Sequence, residues 1–226
     1  MMIKRVRYGA FGASMQCAIG CLLLLCAFVA QAQTPSTTAR PATEAKTLLV
    51  MGDSLSAGYG MSAAQGWVGL LEQRLQRDVP GWRVVNGSIS GETSAGGASR
   101  IVQAVVRERP EVVVIALGAN DGLRGLPLAE ARRNLARMIG ASQHVGARVL
   151  LVGMRMPPNL GTDYTAGFEA NYRLLADTFD VPLLPFLLEP VADDRANFQD
   201  DNLHPTAEAQ PKILDHVWPA LRPLLD

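Results

Sequence analysis

The sequence predicts an α/β domain built on a parallel sheet that is covered by helices on both faces. Two observations carry this: short, continuously apolar runs of strand length, and windows of helical period lying between them. Strands buried on both faces need apolar residues at nearly every position, and parallel neighbours need a crossover between them. The candidate strands are residues 47–51, 83–85, 112–117, 148–152 and a weaker 182–184. Between the first two, Trp67, Leu70, Leu71 and Leu75 share one helical face. Residues 96–106 follow the second strand as an apolar window that is Gly-rich at its start. Leu128, Ala131, Leu135 and Met138 form the next stripe, Phe168, Tyr172 and Leu175 another, and Ile213, Leu214, Val217 and Leu221 the last. Sheets of this kind bind ligands at the carboxyl ends of their strands, so reactive residues are expected directly after strands.

The N-terminus reads as an export signal, which stands apart from the fold. Lys4, Arg5 and Arg7 form a positive start, residues 18–30 an apolar run of 13, and Ala30-Gln31-Ala32 a small-residue cleavage site. The run falls short of the about 20 apolar residues that a bilayer span needs. Cleavage after Ala32 is therefore expected, leaving a periplasmic or secreted protein with no stable membrane insertion. Residues 33–45 are rich in Thr, Pro and Ala without apolar periodicity and read as a linker, and residues 46–226 as one domain.

Composition excludes several functions. Cys17, Cys21 and Cys26 all lie in the signal, so the mature chain is expected to use neither disulfides, cysteine catalysis nor cysteine-ligated zinc. Three of the 21 basic residues leave with the signal, and the remaining 18 stand against 21 acidic ones, a net charge of −3. Nothing in that balance points to nucleic acid or an anionic membrane as partner. His144 and His216 lie in helical stretches without acidic neighbours at ligand spacing, so no metal is expected.

Four segments carry candidate chemistry. The first strand ends in Gly52-Asp53-Ser54-Leu55, which places a hydroxyl where a turn or helix begins. By itself an Asp-Ser pair there also fits a helix cap. A base is supplied by Asp201-Asn202-Leu203-His204-Pro205, just before the last helix, where a carboxylate three residues ahead can reach back to the histidine Nδ1–H. A surface turn is the competing reading. Asn120, after the third strand in Gly118-Ala119-Asn120-Asp121-Gly122, can aim its amide at an oxyanion, or simply form a turn. Gly91, after the second strand in Ser90-Gly91-Glu92-Thr93, can offer an unobstructed N–H. Singly these signals are weak, but all fall on the edge where such a sheet binds ligands.

Together, Gly52-Asp53-Ser54-Leu55, Gly91, Asn120 and Asp201-x-x-His204 resemble the four blocks of the SGNH (GDSL-type) hydrolases, in order and spacing, from about Lys46 to the C-terminus. Asp53 to Tyr59, Asn120 to Gly125, Val181 to Phe186, His204-Pro205 and Ala209-Gln210-Pro211 are similar to the bacterial periplasmic multifunctional thioesterase/lysophospholipase/arylesterase subfamily. The resemblance implies a flavodoxin-like three-layer α/β/α sandwich with a five-stranded parallel sheet. Ala119 departs from it, since a second glycine often precedes the asparagine there, and the methyl is tolerable if the backbone avoids positive φ. The G-x-S-x-G elbow of ordinary α/β-hydrolases is absent around Ser54.

The resemblance implies a cofactor-free serine esterase: Ser54 as nucleophile, His204 as base, Asp201 as its orienting partner, and Ser54, Gly91 and Asn120 as oxyanion hole. Met156, Pro157 and Leu160 after the fourth strand, with Leu123 beside Asn120, are the expected acyl-binding residues. Their apolar character favours acyl esters and thioesters, lysophospholipids included, handled by a monomer. A carbohydrate O-deacetylase is the alternative enzyme. A lipid- or phosphate-binding module using the loop 88–94 at a helix start is the non-catalytic one.

Overall fold

Alternation along the apolar runs divides the core in two. The computed structural model describes residues 45–226, whose sheet has five parallel strands: β1 (Lys46–Gly52), β2 (Trp82–Asn86), β3 (Val112–Ala116), β4 (Arg148–Val152) and β5 (Leu183–Leu184). Successive strand side chains point to opposite faces. Leu48, Val50, Val112, Val114, Leu150 and Val152 therefore enter one layer. Leu49, Met51, Val113, Ile115, Val149 and Leu151 enter the other. This two-sided demand is why β3 is a run of Val, Ile and Ala with every residue buried.

The helices close both layers. Over the first face lie α2 (Trp67–Asp78) and α7 (Gln210–Leu221), which bury Trp67, Leu71 and Leu75 against Ile213, Leu214 and Val217. Over the second lie α3 (Ser94–Glu108), α5 (Leu128–His144) and α6 (Thr162–Phe179), contributing Ile101, Leu135, Met138, Phe168 and Tyr172. Two single-turn helices, α1 (Ser54–Ala57) and α4 (Ala119–Leu123), follow β1 and β3 directly. They are too short for a periodicity and have no counterpart among the predicted elements. The expected window at 96–106 extends to the whole of α3.

Strand order is β2-β1-β3-β4-β5, the flavodoxin-like order, giving the expected three-layer sandwich. The chain runs from β1 out to β2, then crosses back to β3 on the other side of β1. Between β1 and β3 the winding reverses, and sheets of this order bind ligands in the crevice there. Register completes the arrangement: Val50 pairs with Asn86 and Gly52 with Ala116, so the loops after β1, β2 and β3 emerge side by side. The export signal read over residues 1–32, and the linker apart from Ala45, lie outside the described residues.

Candidate active site

Ser54 begins α1, but it does not cap it. The cap is Asp53, whose extended backbone (φ −108°) lets its Oδ1 accept the Leu55 N–H at 3.0 Å. This leaves the Ser54 hydroxyl for another partner, and His204 Nε2 lies 2.8 Å from Ser54 Oγ. Gly58, left-handed at φ 76°, ends the turn and returns the chain towards Tyr59.

The histidine is held by its own loop. Asp201 Oδ1 accepts the N–H groups of Leu203 at 2.9 Å and His204 at 3.0 Å, while Oδ2 lies 2.6 Å from His204 Nδ1. Asn202, left-handed at φ 58°, folds this short loop back on itself. The His204 N–H, the His204 ring and the Leu203 N–H together hold the Asp201 carboxyl down at about 2. With Nδ1–H donating to that carboxylate, Nε2 is left to accept from the Ser54 hydroxyl. Gln199 ties the two loops together, its N–H donating to the His204 carbonyl at 2.8 Å and its Nε2 to the Tyr59 carbonyl at 2.9 Å.

Asn120 and Gly91 come from the two neighbouring strands. Asn120 lies in α4, where Gly118 at φ 120° turns the chain sharply out of β3. Its Nδ2 donates to the Glu92 carbonyl at 3.0 Å and lies 3.4 Å from Asp53 Oδ2. Gly91 is left-handed at φ 77° on an exposed turn, and Arg124 Nη2 donates to its carbonyl at 3.1 Å. Glu92 pairs with Arg100 of α3 through two contacts, one of them Arg100 Nε to Glu92 Oε1 at 2.7 Å. Ala119 keeps a right-handed helical backbone and packs into the first core, so its methyl is accommodated.

Beside Ser54, Asn120 and His204 opens a cleft of about 420 Å³. Leu123, Met156 and Pro157 line it; Leu160 does not. A 3-10 turn over Pro158–Leu160 swings Leu160 inward, where it packs against the second core at the start of α6. This corrects the expectation for Leu160. Met154, Phe186, Leu188 and Phe198 also line the cleft, and the lining is predominantly apolar.

The profile of the GDSL-like lipase/acylhydrolase family matches residues 50–210. The chain belongs to that family. Membership makes it an acyl hydrolase. It is 48% identical over 181 residues to the esterase TesA of Pseudomonas aeruginosa, spanning 80% of this chain and 90% of the relative. It is 42% identical over 185 residues to thioesterase 1/protease 1/lysophospholipase L1 of Escherichia coli K12, spanning 82% and 88%. A crystal structure of TesA superposes with a TM-score of 0.77 at 47% identity, covering 79% of this chain and 99% of that one. The psychrotrophic esterase EstA from Pseudoalteromonas sp., inhibited by monoethylphosphonate, superposes with 0.76 at 35% identity, covering 80% and 98%.

Three features of this acylhydrolase escape a reading of its sequence. Asp53 reads there only as part of an Asp-Ser pair, yet it is 1% exposed, and burial pushes its carboxyl up to about 6 against the opposing pull of the Leu55 N–H and His204. Tyr59 lies over His204, with ring centroids 4.3 Å apart. Phe186 and Leu188 follow β5, and the signal for them was available: an apolar run directly after a strand, at the ligand-binding edge.

Proposed function

We propose that this acylhydrolase cleaves acyl esters and thioesters through a covalent acyl-enzyme on Ser54, without a cofactor. The observation that carries the reading is the unbroken line Asp201–His204–Ser54, at 2.6 and 2.8 Å, opening onto an apolar cleft. His204 Nε2 takes the Ser54 proton as Oγ attacks the acyl carbon, and the carbonyl electrons move onto oxygen. Ser54 N–H, Gly91 N–H and the Asn120 amide receive that oxyanion. As the oxyanion collapses, His204 gives its proton to the departing alcohol or thiol. Water then attacks the acyl-enzyme, losing its proton to His204, which passes it to Ser54 Oγ as the second oxyanion collapses and the acid departs. Asp201, held ionised, supports the imidazolium throughout.

The apolar lining favours acyl chains over acetylated carbohydrate, which calls for a shallow polar site. The names of the relatives (esterase, thioesterase, lysophospholipase, arylesterase) support the same substrate class. Phosphate binding at the start of α3 is disfavoured, because the buried Asp121 carboxylate already accepts the Ser94 N–H there at 2.7 Å. The signal-like residues 1–32 place the enzyme outside the cytoplasm in this proposal, acting as a monomer on small or lipid substrates.

The test is hydrolysis of p-nitrophenyl esters of graded chain length by the purified enzyme and by Ser54→Ala. The variant should lose kcat by on the order of 10⁴–10⁶-fold. Equal activity in the two proteins would sink the serine mechanism, and a preference for acetate over longer chains would favour the deacetylase reading.

A further inference from the structure

Asp53 is a buried carboxyl that the acyl-transfer cycle does not use. It lines the cleft beside Ser54 and Asn120, and its two oxygens face different groups. Oδ1 caps α1 by accepting the Leu55 N–H at 3.0 Å, while Oδ2 lies 3.4 Å from Asn120 Nδ2. We propose that Asp53 is a positioning residue that selects which end of the Asn120 amide is presented to the oxyanion. The inference rests on the reading of Asn120 as an oxyanion donor.

An asparagine amide has a donor end and an acceptor end of nearly the same shape, so packing alone separates them poorly. Only the NH₂ end stabilises an oxyanion, and the carbonyl end would repel it. Two acceptors converge on Nδ2: the Glu92 carbonyl at 3.0 Å and Asp53 Oδ2 at 3.4 Å. Half a turn of the amide would set its oxygen against both. The Asp53 contact is long for an N–H···O hydrogen bond. That N–H is therefore aimed rather than tightly held, and it can follow the charge that develops on the substrate.

Both acceptors are themselves anchored. Glu92 is fixed by its pairing with Arg100 of α3, and Asp53 by the cap of α1. Capping alone does not call for this residue. Serine, threonine or asparagine cap equally well, and an aspartate at 1% exposure gives up hydration that an exposed cap keeps.

The decisive variant is Asp53→Asn. Its carbonyl can still cap Leu55, but its NH₂ then faces the Asn120 NH₂, so the two neighbours no longer agree: the Glu92 carbonyl still holds the donor end while the new amide favours the flipped one. We expect kcat on a p-nitrophenyl ester to fall by on the order of 10²–10³-fold, as when an oxyanion donor is removed. KM should barely move, and a cooperative thermal transition should show that the variant is folded. Asp53→Ser, which retains a cap but is too short to reach Asn120, should lose roughly tenfold, and it serves if the Asn variant does not fold.

Asn120→Ala and the double variant Asp53→Asn/Asn120→Ala complete the cycle. If Asp53 acts through Asn120, the double variant is no slower than Asn120→Ala alone. Full additivity of the two losses, or unchanged kcat in folded Asp53→Asn, overturns the role of Asp53 while the Asn120 reading stands. Unchanged kcat in Asn120→Ala overturns both.

Discussion

The ring of Tyr59 lies over the imidazole of His204, with centroids 4.3 Å apart and planes tilted by 34°. Tyr59 is half exposed, whereas the His204 side chain is only 12% exposed, so the phenol shields one face of the base from water. The contact is built from the backbone up, since Gln199 holds the Tyr59 and Pro205 carbonyls with one amide nitrogen. An aromatic pair of this kind contributes about 0.5–1.5 kcal/mol. Removing the ring should free the imidazole to leave Ser54. Tyr59→Ala is expected to lower kcat/KM by roughly tenfold, and Tyr59→Phe to stay close to wild type. Steady-state kinetics on one ester reads both, and an alanine variant within twofold of wild type would show that the ring is only a cover.

The buried carboxyl of Asp53 predicts an unusual slope in stability. Its folded-state pKa is raised to about 6, from an ordinary value of 3.8, chiefly by burial. Between those values the folded protein holds a proton that the unfolded chain has released. Stability should therefore fall as pH rises through this window and level off above about 6. The full displacement corresponds to about 3 kcal/mol as a ceiling. Asp201 has the opposite sign: held down at about 2, its contribution is present above 3.8 and lost as pH falls through about 2. Asp53 is isolated by comparing urea unfolding of wild type and Asp53→Asn from pH 5 to 7, since the histidines contribute equally to both. Wild type should lose stability across this range and Asp53→Asn should be flatter; parallel curves for the two proteins would refute the assignment.

What the sequence makes legible follows from which signals are local. β1, β3 and β4 are readable because burial on both faces leaves continuous apolar runs, and α2, α5, α6 and α7 because one buried stripe imposes a period. Ser54, Asn120 and His204 are readable as candidates because each follows a strand or precedes the last helix, and a parallel sheet brings those ends together. The burial of Asp53 is not local. It involves groups from distant segments, with Asn120 Nδ2 3.4 Å from its Oδ2 and His204 near enough to pull on its charge, and an aspartate before a helix otherwise looks like a surface cap. Leu160 illustrates the same limit, since Pro158–Leu160 form a 3-10 turn whose direction no apolar count reveals. The Tyr59 contact likewise exists only once the first and last loops meet.

Gly118 is where the backbone itself sets the site, and its replacement should cost stability. Its φ of 120° is one that other residues rarely adopt, and a methyl there would lie 2.2 Å from the Tyr172 hydroxyl. That hydroxyl donates to the Leu117 carbonyl at 2.9 Å in the buried core. Gly118→Ala therefore adds backbone strain of about 1–3 kcal/mol to a displaced buried hydrogen bond of about 1 kcal/mol. A loss of roughly 3 kcal/mol is expected by urea unfolding. Adding Tyr172→Phe removes the clashing atom, so the double variant should be less destabilised than the two single losses combined. Simple additivity would mean that the strain, and not the hydroxyl, accounts for the effect.

The cleft predicts how chain-length preference responds to a change of volume. Ala192 lines it among Phe186, Leu188 and Phe198, and is itself exposed, so a larger side chain there meets space before it meets core. Ala192→Phe should fill part of the about 420 Å³ without unfolding the protein. Each methylene of substrate that is buried contributes about 0.8 kcal/mol, so losing room for two costs about 1.6 kcal/mol, or roughly 15-fold in kcat/KM. Acetate should be hydrolysed as before, because Ser54, His204 and Asn120 are untouched, while octanoate and longer esters slow by that factor or more. A uniform loss across all chain lengths would place the acyl chain outside this cleft.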